Sequence, residues 1–395
     1  MRRAMRDNYG GFGSERQAAI YVTGATGEAP ALPVSPEKLE AEAVRALSPE
    51  AFDYVAGGAG SESTVKANLE EFGRWQIVPR MLRSVSDRDT RSELFGQTLA
   101  APVILAPVGA LGIVRADGEL AVARAASSLG IPFVASTLTT APLEEIAAAA
   151  GEGPRWFQLY WGPDRDVNLS LVARAEKAGY GAIVLTLDTR LLGWRERDLT
   201  RGYLPFLTGA GIGNYLSDPV FRSRLPRPPE EDPVDAVRKA VAQMNDPAFG
   251  WSDVRFLTDR ANVPILVKGV LHPQDAVEAM EAGANGIVVS NHGGRQLDGG
   301  VPALRALPAV VAEVGRRLPV LFDSGVRRGA DAIKAIALGA QAVLLGRPYV
   351  WGLALDGEKG VVSVLENFLA DLDLTLALCG VARIADVTRE LLTPP

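Results

Sequence analysis

The most informative stretch of the sequence is Ser290–Asp298, which reads SNHGGRQLD. A histidine three residues before an arginine can place a proton acceptor next to a group that clamps a carboxylate, and the glycines between them let the chain bend. His292 is one of only two histidines in 395 residues. We therefore predict His292 as a base, whereas His272, which precedes Pro273, is predicted to cap a helix or lie in a turn.

Two segments near the C-terminus predict a phosphate site. They are Asp323-Ser324-Gly325-Val326-Arg327 and Gly346-Arg347, and each follows an apolar run. Glycines let backbone N–H groups approach an anion, and guanidinium groups bind phosphate oxygens. A helix expected just after Arg328 would present its positive end to the same place. Tight turns with solvent-facing arginines are the alternative, but two matched segments favour the phosphate site.

From Pro102 onward, short apolar runs alternate with Ala-rich amphipathic stretches that end in Gly or Pro. Such runs are typical of parallel strands covered by helices. The predicted strands are Val103–Ala106, Pro132–Ala135, Trp156–Tyr160, Ala182–Leu187, Pro264–Val267, Gly286–Ser290, Val320–Phe322 and Ala342–Leu345. Eight such strands, each followed by a helix, predict an α/β fold consisting of a single (β/α)8 TIM barrel.

A doubly wound open sheet gives similar local patterns and is the alternative fold. No Gly-x-Gly-x-x-Gly follows the first strand, and the nearest imitation, Gly209–Gly213, lies in a non-repetitive stretch. Polar residues also recur at the C-terminal end of nearly every predicted strand. A barrel gathers these ends around one mouth, where the active sites of barrel enzymes lie, so the barrel is favoured.

The barrel is predicted to span residues 101–395, and residues 1–100 to form an N-terminal arm and a helical segment packing on it. The first ~30 residues predict a loosely held arm. Residues Pro36–Ala56 predict one helix with Ser35 as its N-cap. A stretch of about residues 192–250 after the fourth strand predicts a lid insertion. Its charged middle, Pro226–Glu231, could equally be a disordered loop.

The composition excludes several classes of protein. A net charge of −6 argues against broad nucleic-acid binding. The single cysteine, Cys379, excludes a disulfide framework and a Cys-based zinc or iron–sulfur site, and is predicted to lie in the core. Two histidines argue against a His-rich metal centre. No apolar stretch has the length of a signal peptide or a membrane span, so we expect a cytoplasmic protein.

The segment Ser290–Asp298 resembles the active-site signature of the FMN-dependent α-hydroxy-acid-oxidising family, which includes glycolate oxidase, lactate oxidase, lactate 2-monooxygenase and mandelate dehydrogenase. The resemblance runs in order from about Phe52 to Gly346 and includes all eight predicted strands. It implies a barrel that holds FMN across its mouth, with the phosphate of FMN at the loops after the seventh and eighth strands.

The resemblance also implies roles around the substrate. His292 matches the base that takes a proton as the α-C–H bond is oxidised, and Asp188 matches the carboxylate that stabilises the imidazolium. Arg195 and Arg295 match the guanidinium groups that hold the substrate carboxylate. The implied catalytic set is His292, Asp188, Tyr160 and Arg295, and the implied substrate-binding set is Tyr54, Tyr160, Arg195, His292 and Arg295.

For the cofactor, Lys268 matches the ammonium group beside the flavin edge where negative charge collects on reduction. Ser324 departs from the glycine of glycolate oxidase, but its backbone N–H can still serve. The implied cofactor-binding set is Val108, Gly109, Ser136, Gln158, Thr186, Lys268, Ser290, Asp323, Ser324, Gly325, Arg327, Gly346 and Arg347.

Gly109, the chain length and the long insertion resemble the lactate 2-monooxygenase members of the family more than glycolate oxidase. The implied reaction converts L-lactate and O₂ to acetate, CO₂ and water, because peroxide trapped by a lid decarboxylates pyruvate before release. An oxidase that releases pyruvate and H₂O₂ is the alternative. A non-redox barrel that binds a phospho-ligand is the alternative from another class. The expected partners are the substrate, O₂ and copies of the same chain in a homotetramer or larger oligomer.

Overall fold

The computed structural model describes residues 11–393, and eight parallel strands among them form a closed barrel. These strands are β1 Val103–Leu105, β2 Phe133–Ala135, β3 Arg155–Tyr160, β4 Ile183–Thr186, β5 Ile265–Val270, β6 Gly286–Val289, β7 Val320–Phe322 and β8 Ala342–Leu345. The barrel closes where β8 pairs with β1, with Val343 opposite Val103. The predicted barrel is confirmed, and the open sheet is excluded.

The strands are apolar because they are buried on both faces. Successive residues of a strand point to opposite sides, so one set of side chains fills the barrel and the other packs against the helices. The inner set is Ile104, Val134, Trp156, Val184, Leu266, Val288, Leu321 and Leu344. A hairpin of Ser92–Leu94 and Gln97–Leu99 adds Leu94 and Leu99 to this inner cluster. The hairpin closes the end of the barrel opposite the mouth, because Phe95 contacts Trp156 near the start of β3.

The helices surround the barrel and also build its N-terminal and inserted parts. They are α1 Phe12–Gly24, α2 Pro36–Ala46, α3 Pro49–Ala56, α4 Ser63–Arg74, α5 Gly118–Ser128, α6 Leu143–Ala150, α7 Arg165–Lys177, α8 Glu196–Arg201, α9 Gly213–Leu216, α10 Pro219–Ser223, α11 Pro233–Ala242, α12 Trp251–Thr258, α13 Pro273–Glu281, α14 Ala303–Val314, α15 Gly329–Ala337 and α16 Arg347–Leu378.

The N-terminal part differs from its prediction in two ways. The predicted loose arm is wrong for α1, which packs along α16 and donates from the N–H of Gly13 to Asp373. Residues 1–10 lie outside the described residues. The single helix predicted over Pro36–Ala56 is two helices, because Pro49 cannot continue a helix and instead begins α3, capped by Ser48. The predicted cap Ser35 does begin α2.

The insertion after β4 is built from α8–α11 and a 3-10 turn, Pro205–Thr208. The amide of Asn214 ties it to the loop after β2: Nδ2 donates to the carbonyl of Thr137 and to Thr139 Oγ1, both at 2.9 Å, and Oδ1 accepts from the N–H of Leu143 at 2.8 Å. Its charged middle, residues 226–231, forms turns between α10 and α11. The insertion is therefore an integral layer over this side of the barrel.

Gln76–Ile77, which follows α4, forms a short antiparallel pairing with Leu392–Thr393 at the C-terminal end of the described residues. The division into residues 1–100 and 101–395 stays a prediction. Between residues 11 and 393, no helix has both the length and the apolar character needed to cross a membrane.

Candidate active site

A deep cleft opens at the C-terminal ends of the strands and encloses about 1370 Å³ of empty space, part of it open to solvent. The predicted residues that line it are Tyr54, Val108, Gly109, Tyr160, Arg195, Lys268, His292, Arg295, Asp323, Ser324, Gly325, Arg327, Gly346 and Arg347. The predicted residues Asp188, Ser136, Gln158, Thr186 and Ser290 lie one layer behind this lining. The structure thus brings the predicted set together around one cavity.

The imidazole of His292 and the carboxylate of Asp188 form a hydrogen-bonded pair, with Nδ1 2.8 Å from Oδ1. This pairing places a proton on Nδ1 and leaves Nε2 to accept one, beside the Tyr160 hydroxyl at 3.5 Å. Burial lowers the pKa of His292 below its ordinary value, although Asp188 opposes the effect. Burial alone would raise the pKa of Asp188, but His292 and Lys268 outweigh it and lower that pKa. The resting pair is therefore a neutral imidazole on an ionised carboxylate.

The backbone conformation of the turn after β6 orients the imidazole ring of His292. Immediately after β6 the chain turns with positive φ at His292 (55°) and Gly293 (62°), conformations that favour glycine. The Ser290 hydroxyl accepts from the N–H of His292 at 3.0 Å. Asn291 Oδ1 accepts from the N–H of Gly294 at 3.1 Å. The segment Ser-Asn-His-Gly-Gly is therefore a turn held by its own internal hydrogen bonds, and it fixes the imidazole of His292 at the end of β6.

Two guanidinium groups stand beside this pair. Arg295 lies over the ring of Tyr54, with Cζ 5.1 Å from the ring centroid, and donates to the carbonyl of Gly57 at 2.7 Å. Arg195 donates from Nε to the carbonyl of Arg295 at 3.2 Å. Burial and the nearby charge of Arg195 lower the pKa of Arg295 to about 10. Two cations held this close favour an anion between or beside them.

Lys268, at the end of β5, is buried among polar groups. Its Nζ donates to the Ser290 hydroxyl at 3.0 Å and lies 3.2 Å from Asp323 Oδ2. Burial would lower the pKa of this ammonium, but Asp323 and Asp188 raise it above the ordinary value. Lys268 is therefore a fixed cation on the floor of the cleft.

The loops after β7 and β8 carry Arg327 and Arg347. Arg347 donates to the carbonyls of Val55, Gly57 and Gly293 at 3.0–3.2 Å. Burial, with Arg295 and Arg327 nearby, lowers the pKa of Arg347 to about 9. Among the described residues, neither Arg327 nor Arg347 has a carboxylate within ion-pair distance, and α15 begins just beyond Arg328 as predicted. The two loops thus present unmatched positive charge to the cleft.

Ser136, Gln158 and Thr186 form a buried hydrogen-bonded chain behind Gly109. The Ser136 hydroxyl donates to Gln158 Oε1 and Gln158 Nε2 donates to Thr186 Oγ1, both at 3.0 Å. A Cβ placed on Gly109 would lie 3.2 Å from Leu138 Cβ and 3.6 Å from the Ser136 hydroxyl. Contacts of these three side chains with the ring of a bound cofactor stay a prediction.

Several functional contacts carry no signal in the sequence. The carbonyl of Gly57 accepts from both Arg295 and Arg347 and so links the two arginine pairs. The Ser324 hydroxyl accepts from the N–H groups of Asn291 and Gly293 at 3.2 and 3.1 Å, which joins the loops after β6 and β7. The insertion adds apolar lining from two of its segments: Leu204 and Phe206 from one, and Val241 and Met244 from the other.

The remaining predicted residues behave as expected. His272 caps α13 by accepting from the N–H of Gln274 at 3.1 Å, and Cys379 is buried in the core. Neither has a place in the cleft.

Comparison with known proteins decides the family. Residues 43–394 match the FMN-dependent dehydrogenase family. The chain belongs to this family. It is 44% identical over 383 residues to the FMN-dependent alpha-hydroxy acid dehydrogenase qulF of Penicillium citrinum, covering 96% of this chain and 95% of that protein. It is 46% identical over 359 residues to an L-lactate oxidase of Lysinibacillus sphaericus, covering 91% and 92%.

Solved structures agree with this assignment. A soluble mutant of the membrane-associated (S)-mandelate dehydrogenase from Pseudomonas putida is 38% identical with a TM-score of 0.82, covering 91% of this chain and 99% of that one. A mandelate oxidase with 3,3-difluoro-2-hydroxy-3-phenylpropionic acid is 40% identical with a TM-score of 0.80, covering 91% and 98%. The enzyme is therefore an FMN-dependent oxidoreductase that acts on 2-hydroxy acids, and the non-redox barrel is excluded.

The residues of the cleft fit FMN. The unmatched guanidinium groups of Arg327 and Arg347, beside Gly325, Gly346 and the start of α15, suit a phosphate. Apolar lining suits the flat ring system: Ala106, Pro107, Val108, Leu344 and Val350. The Lys268 ammonium supplies a buried positive charge at the floor, which suits a ring that gains negative charge on reduction.

Proposed function

We propose that this enzyme oxidises L-lactate with O₂ and converts it to acetate, CO₂ and water within the cleft. The observation that carries the proposal is the position of the insertion, since Leu204, Phe206, Val241 and Met244 line the same cavity as His292 and Arg295. An apolar wall in this cavity suits an apolar substrate side chain such as the methyl group of lactate. It also slows the escape of products formed inside.

Two cations orient the substrate. The guanidinium groups of Arg295 and Arg195 bind the carboxylate, and the Tyr54 ring packed on Arg295 restricts where that guanidinium can lie. Burial raises the pKa of Tyr54, so its hydroxyl stays protonated and can donate to the substrate carboxylate. The α-carbon of the bound hydroxy acid is then presented toward His292.

Oxidation removes the hydrogens of the α-C–H and O–H bonds as two protons and two electrons. Bound FMN would supply the two-electron acceptor, with O₂ as the final oxidant, and the two electrons and both protons would end in H₂O₂. Nε2 of His292 accepts one proton, and Asp188 stabilises the imidazolium that results. Burial raises the pKa of Tyr160 above its ordinary value, so its hydroxyl remains a donor near the substrate oxygen.

The fate of the products depends on their retention. Pyruvate and H₂O₂ formed together react as CH₃COCOO⁻ + H₂O₂ → CH₃COO⁻ + CO₂ + H₂O, which balances without a further oxidant. The reaction needs pyruvate to stay bound while H₂O₂ is present. We attribute that retention to the wall formed by α11 and the Pro205–Thr208 turn.

The role of His292 is tested by His292→Gln. General base catalysis contributes ~10²- to 10⁴-fold to rates, so reduction of FMN by L-lactate without O₂ should slow by that factor while FMN stays bound. The matched control is His272→Gln, which changes the only other histidine and lies outside the cleft. Normal bleaching of the flavin absorbance by L-lactate in His292→Gln would contradict the assignment.

The products are tested by oxidising L-lactate under air and measuring acetate, pyruvate, H₂O₂ and O₂ uptake. We expect one acetate per O₂. Met244→Ala, which opens the wall, should shift the products toward pyruvate and H₂O₂, whereas Val234→Ala on the exposed face of α11 should not. Point substitutions are better tests than deletion of the insertion, because Asn214 anchors the insertion to the barrel and a deletion would remove that anchor.

Simple oxidase activity is the second candidate, favoured by the 46% identity to an L-lactate oxidase of Lysinibacillus sphaericus. One pyruvate and one H₂O₂ per O₂ from the unaltered enzyme would establish it in place of the monooxygenase reaction. The homotetramer or larger oligomer and the cytoplasmic location stay predictions, and light scattering on the purified holoenzyme tests the first.

A further inference from the structure

Strand β5 contains a β-bulge next to the His292–Asp188 pair. Lys268 pairs with Val288 of β6 and Val270 pairs with Val289, so the register shifts between Lys268 and Val270. Gly269, the residue in between, has a φ of 106°, which side-chain-bearing residues rarely adopt. Bulges commonly re-aim side chains next to active sites.

Gly269 lies directly against the carboxylate of Asp188. A Cβ added at Gly269 would lie 2.7 Å from Cβ, Cγ and Oδ2 of Asp188. Oδ1 of Asp188 pairs with His292 and with the Thr189 hydroxyl at 3.0 Å, whereas Oδ2 is buried and has no hydrogen-bond partner among the described residues. On its Oδ2 side the carboxylate is therefore located by close contact with the glycine backbone.

We propose that Gly269 is a positioning residue: the bulge and the missing side chain leave the space in which Asp188 sits under the imidazole of His292. The inference rests on the proposed role of His292 as base. A side chain at Gly269 would push the carboxylate away from Nδ1, and the imidazole would lose the group that stabilises its protonated form. The charged and titratable groups facing His292 are Asp188, Lys268, Arg195 and Tyr160. Lys268 adjoins Gly269 in the chain, and the three atoms that an added Cβ would meet first all belong to Asp188.

The test is Gly269→Ala, compared with Gly339→Ala in the holoenzyme. Gly339 has a φ of 105°, and a Cβ there would lie 2.5 Å from a Val311 methyl, so this control carries a similar backbone strain and a similar clash away from the cleft. Misplacing a catalytic group by ~1 Å can cost ~10²-fold, so Gly269→Ala should lower kcat/KM about 100-fold. Gly339→Ala should leave it within about threefold of the unaltered enzyme.

The pH profile separates positioning from general damage. Without Asp188 the protonated imidazole is less stable, so the ascending limb of kcat/KM should move to lower pH in Gly269→Ala. A fall in kcat/KM with the limb unmoved, or an unchanged kcat/KM, would overturn the proposal. If Gly269→Ala does not fold, adding Asp188→Gly removes all three contacts and should restore soluble, yellow protein. Failure of that rescue would also overturn it.

A crystal structure of Gly269→Ala reports the Nδ1–Oδ1 distance without any turnover. A distance near the present 2.8 Å would refute the positioning role even if activity had fallen. A longer distance in an enzyme whose His292→Gln variant still reduces FMN would uphold the positioning role and reject the proposed base. The two claims therefore fail separately.

Discussion

Asp298 holds the segment that supplies the shared carbonyl of Gly57, and its removal should weaken substrate binding. Its carboxylate accepts from the N–H and hydroxyl of Ser61 at 2.8 and 2.7 Å, from the Ser63 hydroxyl at 2.7 Å and from the N–H of Thr64 at 3.2 Å. These bonds join the start of α4 to the loop after β6. In Asp298→Ala the segment from Gly57 onward loses this anchor, and Arg295 and Arg347 lose a fixed acceptor.

The magnitude follows from the exposure of the carboxylate. Buried hydrogen bonds to a charged group contribute about 1.5–3 kcal/mol each, but solvent reaches Asp298, which reduces each bond to roughly 0.5 kcal/mol. The loss is then about 2 kcal/mol for the set, which corresponds to at most ~30-fold in an equilibrium constant. We expect KM for L-lactate to rise by up to that factor with kcat nearly unchanged, because His292 and Asp188 are untouched.

The assay is steady-state O₂ uptake with L-lactate, together with the dissociation constant of FMN from fluorescence and a thermal unfolding curve. Asp164→Ala is the control: Asp164 caps α7 by accepting from the N–H of Asp166 at 3.0 Å and does not line the cleft. Both variants should lose some thermal stability. If KM in Asp298→Ala equals that in Asp164→Ala, the reasoning about the Gly57 carbonyl is refuted.

Two further predictions test the pH response and the insertion. Burial lowers the pKa of His292, and a base acts only when it is unprotonated. The ascending limb of the pH profile of kcat/KM should therefore lie below the ordinary imidazole pKa of about 6.5. A limb above that pH in initial rates contradicts the burial argument. Asn214→Ala leaves buried polar groups of Leu143, Thr137 and Thr139 without their hydrogen-bond partner. The free energy of unfolding, measured by urea denaturation, should therefore fall by about 3 kcal/mol. A loss below about 1 kcal/mol contradicts the anchoring role.

The barrel could be predicted because its local signals agree with its tertiary structure. Each strand is an apolar run buried on two faces, and the predicted and observed bounds differ by at most a few residues and coincide for Val320–Phe322. Helix α1 could not be predicted, because its apolar residues do not gather on one face. It is stabilised by packing on α16, including the bond from Gly13 to Asp373. The break at Ser48–Pro49 was readable, since serine before proline is a helix start.

The side chains of the site could be predicted because of a general rule: in a (β/α)8 barrel the C-terminal ends of all strands surround one mouth. His292, Asp188 and Lys268 follow from that rule and from the family resemblance. The carbonyl of Gly57 could not be predicted, because every residue carries a carbonyl and only the fold decides which arginine it meets. Gly269 is similar, since a glycine required by contact with a carboxylate looks like any other glycine in a strand.

The arginines of the cleft show why its two halves depend on each other. Arg295 lies on the proposed substrate side and Arg347 on the proposed phosphate side, yet the charge of Arg295 helps to lower the pKa of Arg347, and both side chains donate to the same carbonyl. Without anions in the cleft, these guanidinium groups repel one another at low solvent exposure. A phosphate bound beside Arg347, as proposed, would offset part of that repulsion and favour the arrangement of Arg295 that would receive a carboxylate. We therefore expect occupancy of the proposed phosphate site to raise the affinity for the hydroxy acid, through a backbone turn that contributes no charge of its own.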